Sequence, residues 1–352
     1  MTGLADTRRV GNTTLAPSKS ETILQVNGLQ TYFYTRDGVV KAVDGLSYHV
    51  NKGECVGLVG ESACGKSVSA MSVLRLIPHP PGAIVGGEIL FKGEDLLMVD
   101  EARMRDIRGN RIAMVFQEPL SSLNPVLTVG RQISESLELH RGLDKREALS
   151  QSVEMLQLVG IPDPLRRIKD YPHQFSGGMQ QRIMLAMALS CGPELLIADE
   201  PTTSLDVTIQ AQLLELLDRM RTELGMAVVL ITHNLGVVAR YVDRVIVMYA
   251  GNLVEMGPTD VIYAAAKHPY TRGLIASVPR LDNPRKTDLR VIRGLPPNVA
   301  HLPAGCSFAP RCDYAMERCR AERPEMEKIG EDHYRACFCD ADRLTPISTA
   351  VR

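Results

Sequence analysis

The sequence predicts an α/β protein with a largely parallel sheet flanked by helices, followed by a smaller cysteine-rich region. Three observations carry this. After Ser190, strand-sized apolar runs alternate with helical periods: Leu195–Ala198, Ile209–Leu224, Ala227–Ile231, Leu235–Tyr241, Arg244–Tyr249. Alternation of this kind places helices on the faces of a parallel sheet. Earlier, an apolar strand, Glu54–Val59, runs directly into a glycine-rich loop and then a helix from Lys66 to about Leu76. Beyond about Thr259 proline and cysteine become frequent and periodicity fades, which puts a boundary near Gly257–Pro258.

The elements follow in order. The first 21 residues contain two arginines but no apolar h-region, so a solvated tail is expected rather than a secretory signal. Ile23–Leu29, Val40–Val50, Gly87–Phe91 and Arg111–Phe116 are strand candidates bounded by turn residues. From about Val129 to Ser190 the period is helical; Ala148, Val153, Leu156 and Val159 fall near one face. There is no internal repeat. A chain of 352 residues, at roughly 150 per domain, suggests about two domains. Lys plus Arg total 40 against 41 Asp plus Glu, so no global field points to nucleic acid. The 45% apolar and 23% charged content is that of a soluble globular protein. The longest apolar runs, Met226–Ile231 and Val245–Ala250, are strand-sized, well short of a membrane helix. Without a signal the eight cysteines are expected to meet a reducing cytosol, where disulfides are rare. Five of them (Cys306, Cys312, Cys319, Cys337 and Cys339) crowd the last 50 residues, a pattern that favours metal or redox chemistry.

Gly60-Glu-Ser-Ala-Cys-Gly65-Lys66-Ser67 matches GxxxxGK[ST], with the strand before it and the helix after it that a phosphate-binding loop requires. Backbone N–H groups of such a loop cradle phosphates at a helix N-terminus. Lys66 would reach the β- and γ-phosphates and Ser67 would ligate Mg²⁺. Cys64 is expected to be a small, tolerated loop residue. Leu195–Glu200 is an apolar strand ending in two carboxylates. Asp199 suits Mg²⁺ and Glu200 suits general-base work on a water.

Ser176-Gly177-Gly178-Met179-Gln180, which starts 23 residues ahead of Asp199, reads as a helix start whose free N–H groups face an anion. With Phe175 before it, it resembles the LSGGQ signature of ABC-transporter ATPases. Gln117 in Val115-Phe-Gln-Glu-Pro119 resembles the Q-loop glutamine, Ser204-Leu205-Asp206 the D-loop, and His233 in Ile231-Thr-His-Asn234 the switch histidine. Phe33 holds the position of the adenine-stacking aromatic. The resemblance covers about residues 22–257 and implies an ABC-type P-loop ATPase: a RecA-like core, an antiparallel β subdomain and a helical subdomain at about 118–190. It implies an ATP-binding set of Phe33, Gly60, Glu61, Ser62, Ala63, Cys64, Gly65, Lys66, Ser67 and Val68. Magnesium would fall to Ser67, Gln117 and Asp199, and catalysis to Glu200 and His233. Two such domains pair head to tail in this family. Ser176, Gly177, Gly178 and Gln180 would therefore meet a nucleotide held by the partner, and Asp206 falls to the D-loop. The other seven histidines are expected to be surface or structural.

Glu118-Pro-Leu-Ser-Ser-Leu-Asn-Pro125, Pro201–Gln210, His268-Pro-Tyr-Thr271 and Gly294-Leu-Pro-Pro297 resemble ATP-binding subunits of the dipeptide, oligopeptide and nickel importer group. That extends the resemblance to about residue 340, with 258–340 as a small cysteine-rich C-terminal domain and 341–352 as a tail. It implies a second ATPase subunit (a related chain or a copy of this one), two membrane permease subunits, an extracytoplasmic solute-binding protein, and a place on the cytoplasmic face of the membrane. No nucleic-acid partner is expected. A non-transport ABC ATPase, an exporter and a nickel importer are the rival readings, and cargo is read by other chains. Four thiolates can hold a zinc ion or an iron–sulfur cluster. The Gly-Cys-x-Phe-x-x-Arg-Cys pattern of these importers stands here at Gly305–Cys312 and implies a [4Fe–4S] cluster on Cys306, Cys312, Cys319 and Cys337. Zinc and unliganded thiols are the alternatives.

Overall fold

In this computed structural model, residues 21–118, 122–203, 205–278 and 292–340 are described. Strands β3 (Cys55–Val59), β6 (Ile112–Val115), β7 (Leu195–Asp199), β8 (Ala227–Thr232) and β9 (Arg244–Tyr249) run parallel, in the spatial order β9-β3-β8-β7-β6. Every residue of β3, β7, β8 and β9 is buried. That is why these segments read as unbroken apolar runs rather than alternating ones. Their side chains still alternate between two cores. Val56 and Leu58, Leu195 and Ile197, Val229 and Ile231 enter one, while Val59, Leu196 and Ala198, Val228 and Leu230 enter the other.

The first core is closed by α1 (Lys66–Val73), by α2 (Glu101–Ile107) and by an antiparallel sheet of β1 (Thr22–Thr35), β2 (Gly38–Asn51), β4 (Gly82–Phe91) and the short β5 (Glu94–Asp95). The second is closed by α3 (Val129–Arg141), α4 (Lys145–Leu158), α6 (Gly177–Leu189), α7 (Val207–Leu224) and α8 (Leu235–Tyr241), while the short α5 (Pro164–Arg167) between α4 and α6 buries none of its residues. Caps account for several helix starts: Thr128 accepts from the Arg131 N–H, and Asp144 accepts from Arg146 and Glu147.

The structure differs from the sequence expectation at several edges. β1, β2 and β4 extend beyond the predicted strands, because their antiparallel pairing carries polar residues along with the apolar ones. β10 (Asn252–Pro258), unpredicted, pairs antiparallel with β9. It ends at the expected boundary. The chain beyond forms α9 (Thr259–Ala265), α10 (Pro269–Ala276), α11 (Glu317–Ala321) and the hairpin of β11 (Glu327–Gly330) and β12 (His333–Arg335). β12 pairs with β10, so the cysteine-rich region adds two strands to the main sheet and covers its open edge. Among the described residues no helix is long and apolar enough to cross a membrane. Residues 1–20 of the expected N-terminal tail, the expected tail at 341–352, Ser204 of the expected D-loop, and Pro119–Ser121 lie outside the described residues.

Candidate active site

The glycine-rich loop joins β3 to α1, and two of its glycines are obligatory. A Cβ on Gly60 would lie 2.3 Å from the Met248 carbonyl oxygen. Gly65 has φ +102°, and a Cβ there would lie 2.2 Å from the Ala42 oxygen. The loop is thus pressed between β9 and β2. Buried Lys66 donates from Nζ to the Gly60 and Glu61 carbonyls, both at 2.9 Å. Cys64 is buried beside it, and burial pushes its thiol up, against the pull of Lys66. Its place in the first core suits a packing role. Phe33 lies on β1 with its ring against Gly82, one strand from the loop's β2 neighbour.

Asp199 ends β7. Burial holds its carboxyl above the usual aspartate range and neighbouring Glu200 adds to this; a Ser67 hydrogen bond and Lys66 act against it. Its Oδ1 is buried without a hydrogen-bond partner. An unspent carboxylate oxygen beside a serine hydroxyl is a donor pair suited to Mg²⁺. Glu200 has a positive φ of 47° and carries three partners: Thr203 Oγ1 at 2.9 Å, Gln117 Nε2 at 3.2 Å and His233 Nδ1 at 3.3 Å. Three loops that follow β6, β7 and β8 therefore meet on one carboxylate. Thr203 was missed from sequence; it sits in a run of threonines with nothing to distinguish it.

Ser176 stands at the N-cap position of α6 but makes no cap hydrogen bond, so the first N–H groups of that helix remain free. α1 likewise starts at Gly65 without a side-chain cap. Gly177 is open on its Cβ side, while Gly178 packs against Ile209 of α7. Gln180, expected with the signature, instead points inward: its amide donates to the Pro172 and Phe175 carbonyls at 2.9 and 3.2 Å. Asp206 caps α7, accepting from the Ile209 N–H at 3.0 Å. Of the other histidines, His49, His268 and His333 are buried in structural contacts.

At the far edge Cys306, Cys312, Cys319, Cys337 and Cys339 line one small pocket of about 10 Å³, and none is in a disulfide. Burial, with the neighbouring thiols adding, pushes Cys312 up to about 12 and Cys337 up to about 11. Among the described residues no group of three or more His, Cys, Asp or Glu is arranged to hold a metal ion.

Comparison with known proteins agrees with this geometry. Residues 43–203 match the model of the ABC transporter family, and 254–319 match that of the oligopeptide/dipeptide transporter C-terminal region. The chain is 51% identical, over 91% of its length and 96% of the relative's, to a probable peptide ABC transporter ATP-binding protein of Sinorhizobium fredii. It is 48% identical to the dipeptide transport ATP-binding protein DppD of Bacillus subtilis, covering 92% of this chain and 96% of that one. An ATP-binding cassette solved as a dimer in a post-hydrolysis state with ADP and phosphate superposes with a TM-score of 0.61 at 25% identity, over 67% of this chain and 98% of that one. At about half identity over nine-tenths of its length, and with both family models matched, the chain belongs to the ATP-binding proteins of the peptide-import ABC transporter family.

Proposed function

We propose that this chain hydrolyses ATP to drive peptide uptake through a multi-subunit transporter, with Glu200 as the general base. The observation that carries the reading is the convergence of Gln117, Thr203 and His233 on Glu200, beside the unpartnered Oδ1 of Asp199. Lys66 leaves the Gly60 and Glu61 carbonyls to meet the β- and γ-phosphates. Ser67 and Asp199, with Gln117, would hold Mg²⁺, which would supply neutralisation of the phosphate charge. Glu200 accepts a proton from the attacking water and His233 orients that water. Ser176, Gly177 and Gly178 address the nucleotide of a second ATPase subunit, since the α6 N-terminus has unspent N–H groups. The helical layer carries the contact to two permease subunits on the cytoplasmic face of the membrane, with a solute-binding protein on the other side. Purifying the complex through a tag on this chain tests the reading. Permease subunits should co-purify and peptides should stimulate hydrolysis. Isolation without membrane partners would favour a non-transport ATPase.

The thiol pocket is the finer part of the proposal. We read residues 258–340 as a cysteine-rich module in which Cys306, Cys312, Cys319 and Cys337 hold a [4Fe–4S] cluster, with Cys339 in reserve. The convergence of five thiols on one pocket supports it. One zinc ion on the same thiols is the second reading. Anaerobic purification separates them. A brown protein with about four irons per chain supports the cluster, and a colourless one with a single zinc supports the alternative.

A further inference from the structure

The Gly305–Cys312 segment faces two ways. Cys306 and Cys312 line the thiol pocket. Gly305 fits where a Cβ would lie 2.4 Å from the Cys319 carbonyl oxygen. Phe308 packs on Tyr249 and Tyr270, with ring centroids 5.2 and 5.3 Å away. Arg311 turns toward the phosphate loop, 250 residues earlier in the chain. Its Nη1 lies 2.6 Å from Glu61 Oε2 and its Nη2 2.9 Å from Oε1, and only 6% of its side chain is exposed. The rest of the guanidinium is occupied as well: Nε donates to the Arg293 carbonyl at 2.9 Å, Nη2 to Gly294 at 3.2 Å and Nη1 to the Tyr249 hydroxyl at 3.3 Å.

Glu61 is therefore held at three groups. Arg311 holds its carboxylate, the Tyr270 hydroxyl accepts its backbone N–H at 2.8 Å, and its carbonyl accepts from Lys66 Nζ at 2.9 Å. A free carboxylate at this position would repel an incoming triphosphate; paired with a guanidinium it does not. Holding the loop in one shape before binding also removes an ordering cost from the binding step.

We propose that Arg311 is a positioning residue for ATP: the C-terminal region supplies it to neutralise Glu61 and to fix the carbonyl from which Lys66 reaches the phosphates. The inference rests on reading Gly60–Ser67 as the ATP loop. The experiment is steady-state hydrolysis by the transporter complex, with melting temperatures of each variant. Arg311→Met should raise KM for ATP about tenfold, the scale of a lost charged hydrogen-bond pair, with kcat within about twofold. Arg311→Lys should recover part of the loss, since charge returns without the fork. In a Glu61→Gln background Arg311→Met should cost much less, because no carboxylate is left to neutralise. An unchanged KM in Arg311→Met overturns the proposal. So does a fall in kcat and melting temperature at constant KM, which marks a mere brace, or an equal effect in the Glu61→Gln background. Lys66→Ala is the separate control: if it leaves ATP affinity intact, the loop reading itself fails.

Discussion

At the carboxyl ends of β3 and β7 polar capacity is left unspent; at the β10 edge, around Glu255, it is consumed. Asp199 Oδ1 has no partner and α1 begins without a side-chain cap; away from those strand ends, α6 begins uncapped as well. The remaining described helices of eight or more residues, α3, α4, α7 and α10, are capped by Thr128, Asp144, Asp206 and His268. Glu255 is fully buried, yet it accepts from the Lys267 and His268 N–H groups at 2.6 and 3.0 Å and pairs with His333 Nε2 at 2.8 Å. Both regions carry buried carboxylates. The difference teaches that a carboxylate whose oxygens are all engaged ties elements together, whereas one with an idle oxygen is reserved for a ligand.

The largest effect should fall on the unspent side. Glu200→Gln should retain ATP binding and slow turnover by about 10²–10⁴-fold, the usual worth of a general base. Near-normal hydrolysis in the purified complex would remove Glu200 from the chemistry. On the consumed side, Glu255→Ala should cost about 3–5 kcal/mol in denaturant unfolding, because it strands two N–H groups and His333. A loss below about 1 kcal/mol would show that the edge does not depend on it.

Acid should act through His49, whose Nε2 lies 2.7 Å from Arg244 Nη1. Burial, then Arg244, pushes His49 down from 6.5 to about 4, with Asp332 opposing. Its folded value is thus below its unfolded one. The stability it contributes is complete above pH 6.5 and is lost as pH falls toward 4. His49→Gln should flatten unfolding curves across that window.

The smallest effects separate the two kinds of helix start. Asp206→Ala should cost about 1 kcal/mol, the worth of an N-cap. Ser176→Ala should cost the free chain less than about 0.5 kcal/mol, since no cap bond is lost, while lowering hydrolysis in the assembled complex. Equal destabilisation by the two would break the distinction.

Much of the candidate site's placement was legible in the chain itself. Gly60–Ser67, Asp199, Glu200 and His233 lie at the ends of apolar runs whose period announces buried parallel strands, so sequence order alone places them at one end of a sheet. Gln180, expected beside a partner's nucleotide because its neighbours form a ligand motif, is turned inward by its helical position. Thr203 and Tyr270 stand in segments that resemble the importer group, but nothing local gave either a contact; Tyr270 meets Glu61 only across the fold.

By itself the sequence determined the parallel core, the phosphate loop and the strand-end carboxylates, because those depend on local periodicity and on side chains close in the chain. Only the tertiary structure decided that β12 joins the main sheet, that five thiols share a pocket and that Arg311 reaches Glu61. The reason is physical. Edge pairing and buried ion pairs unite segments tens to hundreds of residues apart, and their stabilisation comes from burial and geometry that no stretch of chain carries alone.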